Sequence, residues 1–130
     1  MDFKYTKHYS VDEAQEMIPQ LRLWLAELNL HRKHVQQLDE RLGQLLHTGA
    51  DPGGGIVNDW VKHLAGIQKY LAYFRDMEIQ LKDLERGLLD FPAIMAGREV
   101  FLCWEQDEDH IEFWHDLEAG YSGRARLPEA

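Results

Sequence analysis

Four residues in the last third of the chain, Asp90, Cys103, Glu108 and His115, carry side chains that ligate zinc or iron: carboxylate, thiolate and imidazole. His110 stands beside them as a reserve imidazole. Their spacing matches no common metal signature, because neither C-x-x-C nor H-E-x-x-H occurs. Whether they meet depends on strand register. If Glu105 pairs with His110, Val100 lies opposite His115 and Cys103 faces away from the imidazole. A one-residue slip or a bulge puts Cys103 and His115 on one face. The plainer reading makes Cys103 a small buried hydrophobe and His115 a hydrogen-bonded strand residue.

Other chemistry fits the residues less well. Glu112-Phe113-Trp114-His115 is an E-x-x-H quartet, which on a helix would present both ligands to one side. Its aromatic, alternating context favours a strand, and no second quartet accompanies it. Cys103 could act as a nucleophile with His115 as base and Asp90 as orienter. Flanked by Leu102 and Trp104, however, the thiol reads as buried, which raises its pKa and blunts it. Gly53-Gly54-Gly55 lacks the Lys-Ser/Thr that a phosphate-cradling loop needs. Arg98 and Arg124 flank the acidic stretch. Salt bridges to Asp90, Glu108 or Asp116 explain them, and the functional alternative is a clamp on a small carboxylate or phosphate.

These residues must be positioned by the elements around them. Ser10-Val11-Asp12-Glu13 is a capping box, in which serine and glutamate satisfy each other's backbone N–H. Two stripes follow at heptad spacing: Ala14, Leu21, Leu28, Val35 and Leu42, then Met17, Trp24, His31, Leu38 and Leu45. Pro19 predicts a kink or a short first helix, with the long helix running from about 19 to about 46. Asp51-Pro52-Gly53-Gly54-Gly55 breaks the pattern. A second helix is expected from Asn58 to Arg75, with Trp60, Val61, Leu64, Ile67, Leu71 and Phe74 as its stripe. A turn at Pro52 would set His31 opposite Phe74 and His63 opposite Leu42, so the helical histidines are not expected to share a metal.

After Arg75 the apolar period changes to alternation. Residues 79–83, 87–91 (ended by Pro92), 98–104 and 111–115 read as short strands. The fold class is therefore α+β: a long antiparallel helical hairpin, about 10–76, packed on a small C-terminal antiparallel β-sheet, about 78–127, in a single domain.

The first helix is longer than the second, so its early part needs a cover. Either the β segment folds over it or a second copy does. The second option predicts a homodimer through Met17, Leu21, Trp24 and Leu28, a non-catalytic interaction protein in which the ligand set above is the competing function.

Composition narrows the partners. The 130 residues carry a formal charge of -9, and no Lys or Arg falls between Glu105 and Glu118. Such a field repels phosphate backbones and anionic lipid, which argues against nucleic acid and membrane docking and leaves cations or a basic protein partner. One cysteine suits a reducing compartment, and the polar N-terminus has no signal-peptide core, so a cytoplasmic location is expected.

Lys82-Asp83-Leu84, Gly87-Leu88-Leu89-Asp90-Phe91-Pro92, Gly97-Arg98-Glu99-Val100, Leu102-Cys103-Trp104, Trp114-His115 and Gly120-Tyr121-Ser122-Gly123-Arg124 together resemble the uncharacterised bacterial "domain of unknown function 2203" family. Glu13-Ala14 and Ile18-Pro19 match its opening. Two places depart from it: Asp107-Glu108-Asp109 stands where the family has a turn more like Gly-Glu-Pro, and Arg126-Leu127-Pro128 where it favours Gln-Pro. The resemblance implies an architecture and no activity.

Overall fold

The structure is a computed structural model that describes residues 2–51 and 53–128. Two helices, α1 (Val11–His47) and α2 (Gly54–Asp76), precede five strands: β1 (Gln80–Asp83), β2 (Leu88–Met95), β3 (Arg98–Glu105), β4 (Phe113–Asp116) and β5 (Ala125–Arg126). The strands form one antiparallel sheet in sequence order. The chain divides into two compact units. One joins the segment up to Arg22 with everything from Phe74 onward, and the other is Leu23–Tyr73.

The capping box starts α1 as its residues require. Ser10 N–H donates to Glu13 Oε1 at 3.0 Å, and Glu13 N–H donates to Ser10 Oγ at 3.1 Å. The separate short first helix that Pro19 allowed does not form. The helix runs through Pro19. Proline removes one backbone hydrogen bond, but Pro19 is exposed while Ile18 and Leu21 beside it are buried. Packing of those neighbours holds the turn together. The helix ends at His47, and Gly49 just beyond it takes a φ of +76°, the left-handed region that favours glycine. There Ala50 N–H bonds Leu45 O at 3.0 Å and Gly49 N–H bonds Leu46 O at 3.1 Å. This glycine, rather than the Pro-Gly run after it, is the stop signal.

Within the sheet unit, the first turns of α1 bury Ala14, Ile18 and Leu21. The same sheet face carries Leu89, Phe91, Leu102 and Trp104, all buried. The ring contacts Tyr9–Phe91 at 5.6 Å and Arg22 over Trp104 at 5.5 Å join the two layers. The β segment thus covers the early part of α1. Leu21 and Leu28, two of the four residues expected at a homodimer interface, are fully buried inside the chain and offer no surface to a partner. Met17 is half-buried, and Trp24 packs against Tyr73 with centroids 5.2 Å apart and planes tilted by 40°.

Strand β2 does not end at Pro92 but continues to Met95. β1 pairs with β2 only as far as Asp90, so the side of β2 to which Pro92 would present an N–H is an edge. The proline carbonyl on that edge accepts Tyr9 N–H at 2.7 Å. The N-terminal segment is fastened by two carboxylates. Glu99 accepts the backbone N–H of Lys4 at 2.8 Å and of Tyr5 at 3.0 Å, and meets His8 Nε2 at 2.7 Å. Glu78 accepts from the N–H groups of Thr6 and Lys7 and from the Thr6 hydroxyl.

In the hairpin unit, the facing pairs are Trp24–Tyr73, His31–His63 and Asp39–Trp60. His31 therefore meets His63 and not Phe74. The expected register assumed a turn centred on Pro52, whereas α1 closes at Gly49 and α2 already begins at Gly54. Val61 and Leu71, assigned to the seam, are 52% and 43% exposed.

Candidate metal centre

β3 pairs with β4 so that Phe101 lies opposite His115 and Cys103 opposite Phe113. This is the one-residue slip that brings Cys103 and His115 to one face. A tight hairpin at Glu105 is prevented by the acidic turn, which folds on itself. Glu108 N–H bonds Glu105 O at 2.9 Å, Glu105 N–H bonds Glu108 Oε1 at 2.9 Å, and Trp104 Nε1–H donates to Glu108 O at 3.0 Å. On the other side of β3, Asp90 of β2 lies directly opposite Cys103.

One face therefore presents three side chains from three adjacent strands. Asp90 and His115 are each 3% exposed and Cys103 is fully buried. A carboxylate oxygen, the thiol sulfur and a ring nitrogen all lie within 4.8 Å of one another. His115 Nε2 is 3.0 Å from Asp90 Oδ1. Its Nδ1 lies 2.7 Å from the Asp116 carbonyl, which can only accept, so Nδ1 carries a proton and Nε2 faces the cluster.

The electrostatics follow from burial. Desolvation raises the Asp90 pKa above the ordinary carboxylate value, against the opposing pull of His115. Burial, then the charge of Asp90, pushes the Cys103 thiol up to about 12, although Arg124 beside it draws the other way. A thiol this basic is inert as a free nucleophile. The nucleophilic triad is thereby disfavoured, and the thiolate form would need a cation at the sulfur.

The cluster forms part of the wall of a cavity of about 290 Å³. Leu88, Phe101 and Leu117 give it apolar sides, and Lys82, Glu118 and Tyr121 also face it. None of these six was singled out from the sequence as a site residue. Lys82 and Tyr121 had appeared only within the motif stretches, and alternation along β1 and β3 was the one signal pointing Lys82 and Phe101 the same way as Cys103.

The other expected residues lie elsewhere. Glu108 is not in the cluster. Its carboxylate pairs with Arg124 at 3.0 Å and caps Glu105. His110 is exposed in the turn. Arg98 bridges to Asp116 at 2.9 Å, with both side chains more than half exposed. Arg124 is the anchor of the C-terminal segment. Its guanidinium lies 3.8 Å from the Phe113 ring centroid and 4.2 Å from that of Tyr121, and it also donates toward the Cys103 sulfur. Glu112 and His115 sit in and beside a strand and not on a helix, so the E-x-x-H arrangement fails.

The sequence profile of the uncharacterized conserved protein family DUF2203 matches residues 7–127. This chain belongs to the DUF2203 family. The match covers nearly the whole chain, and with it all three residues of the cluster. No curated protein and no solved structure matches this DUF2203 chain. No helix among its described residues is long and apolar enough to cross a membrane.

Proposed function

We propose that this chain is a metal-binding protein whose ion is held by Asp90, Cys103 and His115. The observation that carries the reading is the convergence of three different ligand types within 4.8 Å at a cavity wall. The set of one carboxylate, one thiolate and one imidazole suits zinc or iron(II). His115 supports it further, because its Nδ1–H is already held by a backbone carbonyl, the arrangement that orients a ligating imidazole. Three protein ligands facing a cavity leave a coordination position open, as in catalytic sites rather than closed structural ones. A bound ion would supply Lewis acidity to whatever enters the cavity.

The test is elemental analysis of protein purified without an affinity tag, followed by cobalt(II) substitution. One equivalent of metal and a cobalt–thiolate charge-transfer band lost in Cys103→Ser are expected. A metal-free protein that neither takes up cobalt(II) nor loses stability with chelator would overturn the reading.

A second reading, self-association, draws on the hairpin. Between Leu23 and Tyr73 the only buried residues among those described are Leu25 and Leu28. Leu23, Leu30, Leu46, Val57, Val61 and Leu71 are all exposed. A helix pair with so little interior gains a core when a second copy packs on it as a four-helix bundle. Light scattering across a concentration series decides, and a monomer at every concentration removes this reading.

A further inference from the structure

Three histidines meet in the hairpin unit, remote in sequence from the Asp90 cluster. His31 and His34 stand one turn apart on α1, and His63 faces them from α2. The Nδ1 atoms of His31 and His63 are 2.9 Å apart. The His34 ring lies flat on His63, with centroids 4.4 Å apart and planes 10° from parallel.

The arrangement is built into the sequence on the facing helix. Gly66 sits inside α2, where glycine costs roughly 1 kcal/mol of helix stability relative to alanine. A Cβ at Gly66 would lie 2.6 Å from His31 Nε2. The helix thus keeps a notch in which the His31 imidazole is seated. Tyr70 stacks on the same ring at 6.2 Å, fixing its plane.

We propose that His31 and His63 bind a divalent metal of tetragonal preference, copper(II) or nickel(II), through their Nδ1 atoms, with the His34 ring packed flat on His63 as its support. Two imidazole nitrogens bound in cis positions at roughly 2.05 Å from a tetragonal ion stand ~2.9 Å apart. The two Nδ1 atoms already have that separation. In the metal-free pair, one Nδ1 donates its proton to the other. On ligation that proton moves to Nε2 of the same ring, so no proton is lost overall. The Glu27 carboxylate, 3.9 Å from His31 Nε2, lies on the side where that proton would sit, as a nearby negative charge and not a hydrogen-bond partner.

Calorimetric titration of nickel(II) into the Cys103→Ser chain tests the proposal without the thiol. One binding event weakened at least tenfold by His63→Gln supports it. Gly66→Ala, which removes no nitrogen but displaces the His31 ring, should weaken it in the same direction. No binding event, or one weakened less than tenfold by His63→Gln, overturns it. If His63→Gln fails to fold, copper(II)-loaded Cys103→Ser chain is read by electron paramagnetic resonance. Coupling to two or more imidazole nitrogens supports the site, and coupling to one or none overturns it. The outcome does not depend on whether Asp90, Cys103 and His115 bind metal.

Discussion

His115 Nε2 meets Asp90 Oδ1 at 3.0 Å across the intervening strand β3, and neither side chain reaches solvent. Both ring nitrogens thus face acceptors, the Asp116 carbonyl on one side and the carboxylate on the other. The pair holds a proton or a cation between its partners, and it cannot be dismantled from one side without leaving a buried polar group unsatisfied.

Replacing His115 by alanine strands Asp90 in that interior. Breaking a buried pair from one side costs about 3–5 kcal/mol. Urea unfolding of His115→Ala should show a loss of that size. A loss under about 1 kcal/mol would mean that the pair does not carry the sheet.

Acid should loosen the N-terminal segment before the sheet. The Glu78 carboxyl is held below its ordinary value, first by the Thr6 hydroxyl and then by backbone N–H groups. Burial works to raise Glu99, but His8 and the N–H groups of Lys4 and Tyr5 outweigh it and hold it low. Both carboxylates have depressed pKa values in the fold. Their contribution is therefore complete above the ordinary carboxylate value near 4.5 and is lost as pH falls through the folded values. Protection of the Thr6 and Lys7 amides, measured against their intrinsic exchange rates, should be lost below about pH 4, while the β3 amides stay protected. Simultaneous loss of both sets contradicts this.

Arg124→Gln removes a guanidinium that pairs with Glu108 and lies over Phe113 and Tyr121. With hydrogen bonds to charged groups worth about 1.5–3 kcal/mol, a destabilisation of that order is expected. Trypsin or chymotrypsin should then cut residues 117–127 first. An unchanged digestion pattern would place the anchor elsewhere.

Gly87 adopts φ +64°, and a Cβ there would lie 2.6 Å from Gln106. Gly87→Ala should destabilise the fold by about 1–3 kcal/mol through both backbone strain and contact, read as a lower thermal midpoint. Gly97, also at positive φ but with nothing near its Cβ direction, should tolerate alanine better. Reversal of that order would show that the close approach to Gln106 is not what constrains the turn.

The capping box, the helical hairpin and the change of period after Arg75 were legible because each is a local pattern. What sequence missed was set by contacts between distant segments. Alternation alone fixes which residues of β3 share a face, but not how β4 slides against it. That slide depends on Glu108 folding the acidic turn back on Glu105. Pro92 read as a strand end because nothing local shows that β1 stops short and leaves an edge. Glu108 looked like a ligand by type, and its carboxylate was taken instead by Arg124. The His31–His63 meeting was hidden by centring the turn on Pro52, when α2 already begins at Gly54.

The chain leaves the sheet unit after Arg22 and re-enters it at Phe74. For the sheet, everything between is an excursion whose length is almost free. Halving such a loop changes its closure entropy by only about 0.6 kcal/mol. A shorter splice that preserves the opening turns of α1 would leave Asp90, Cys103 and His115 with the same strands beneath them, on a molecule about two thirds of this size.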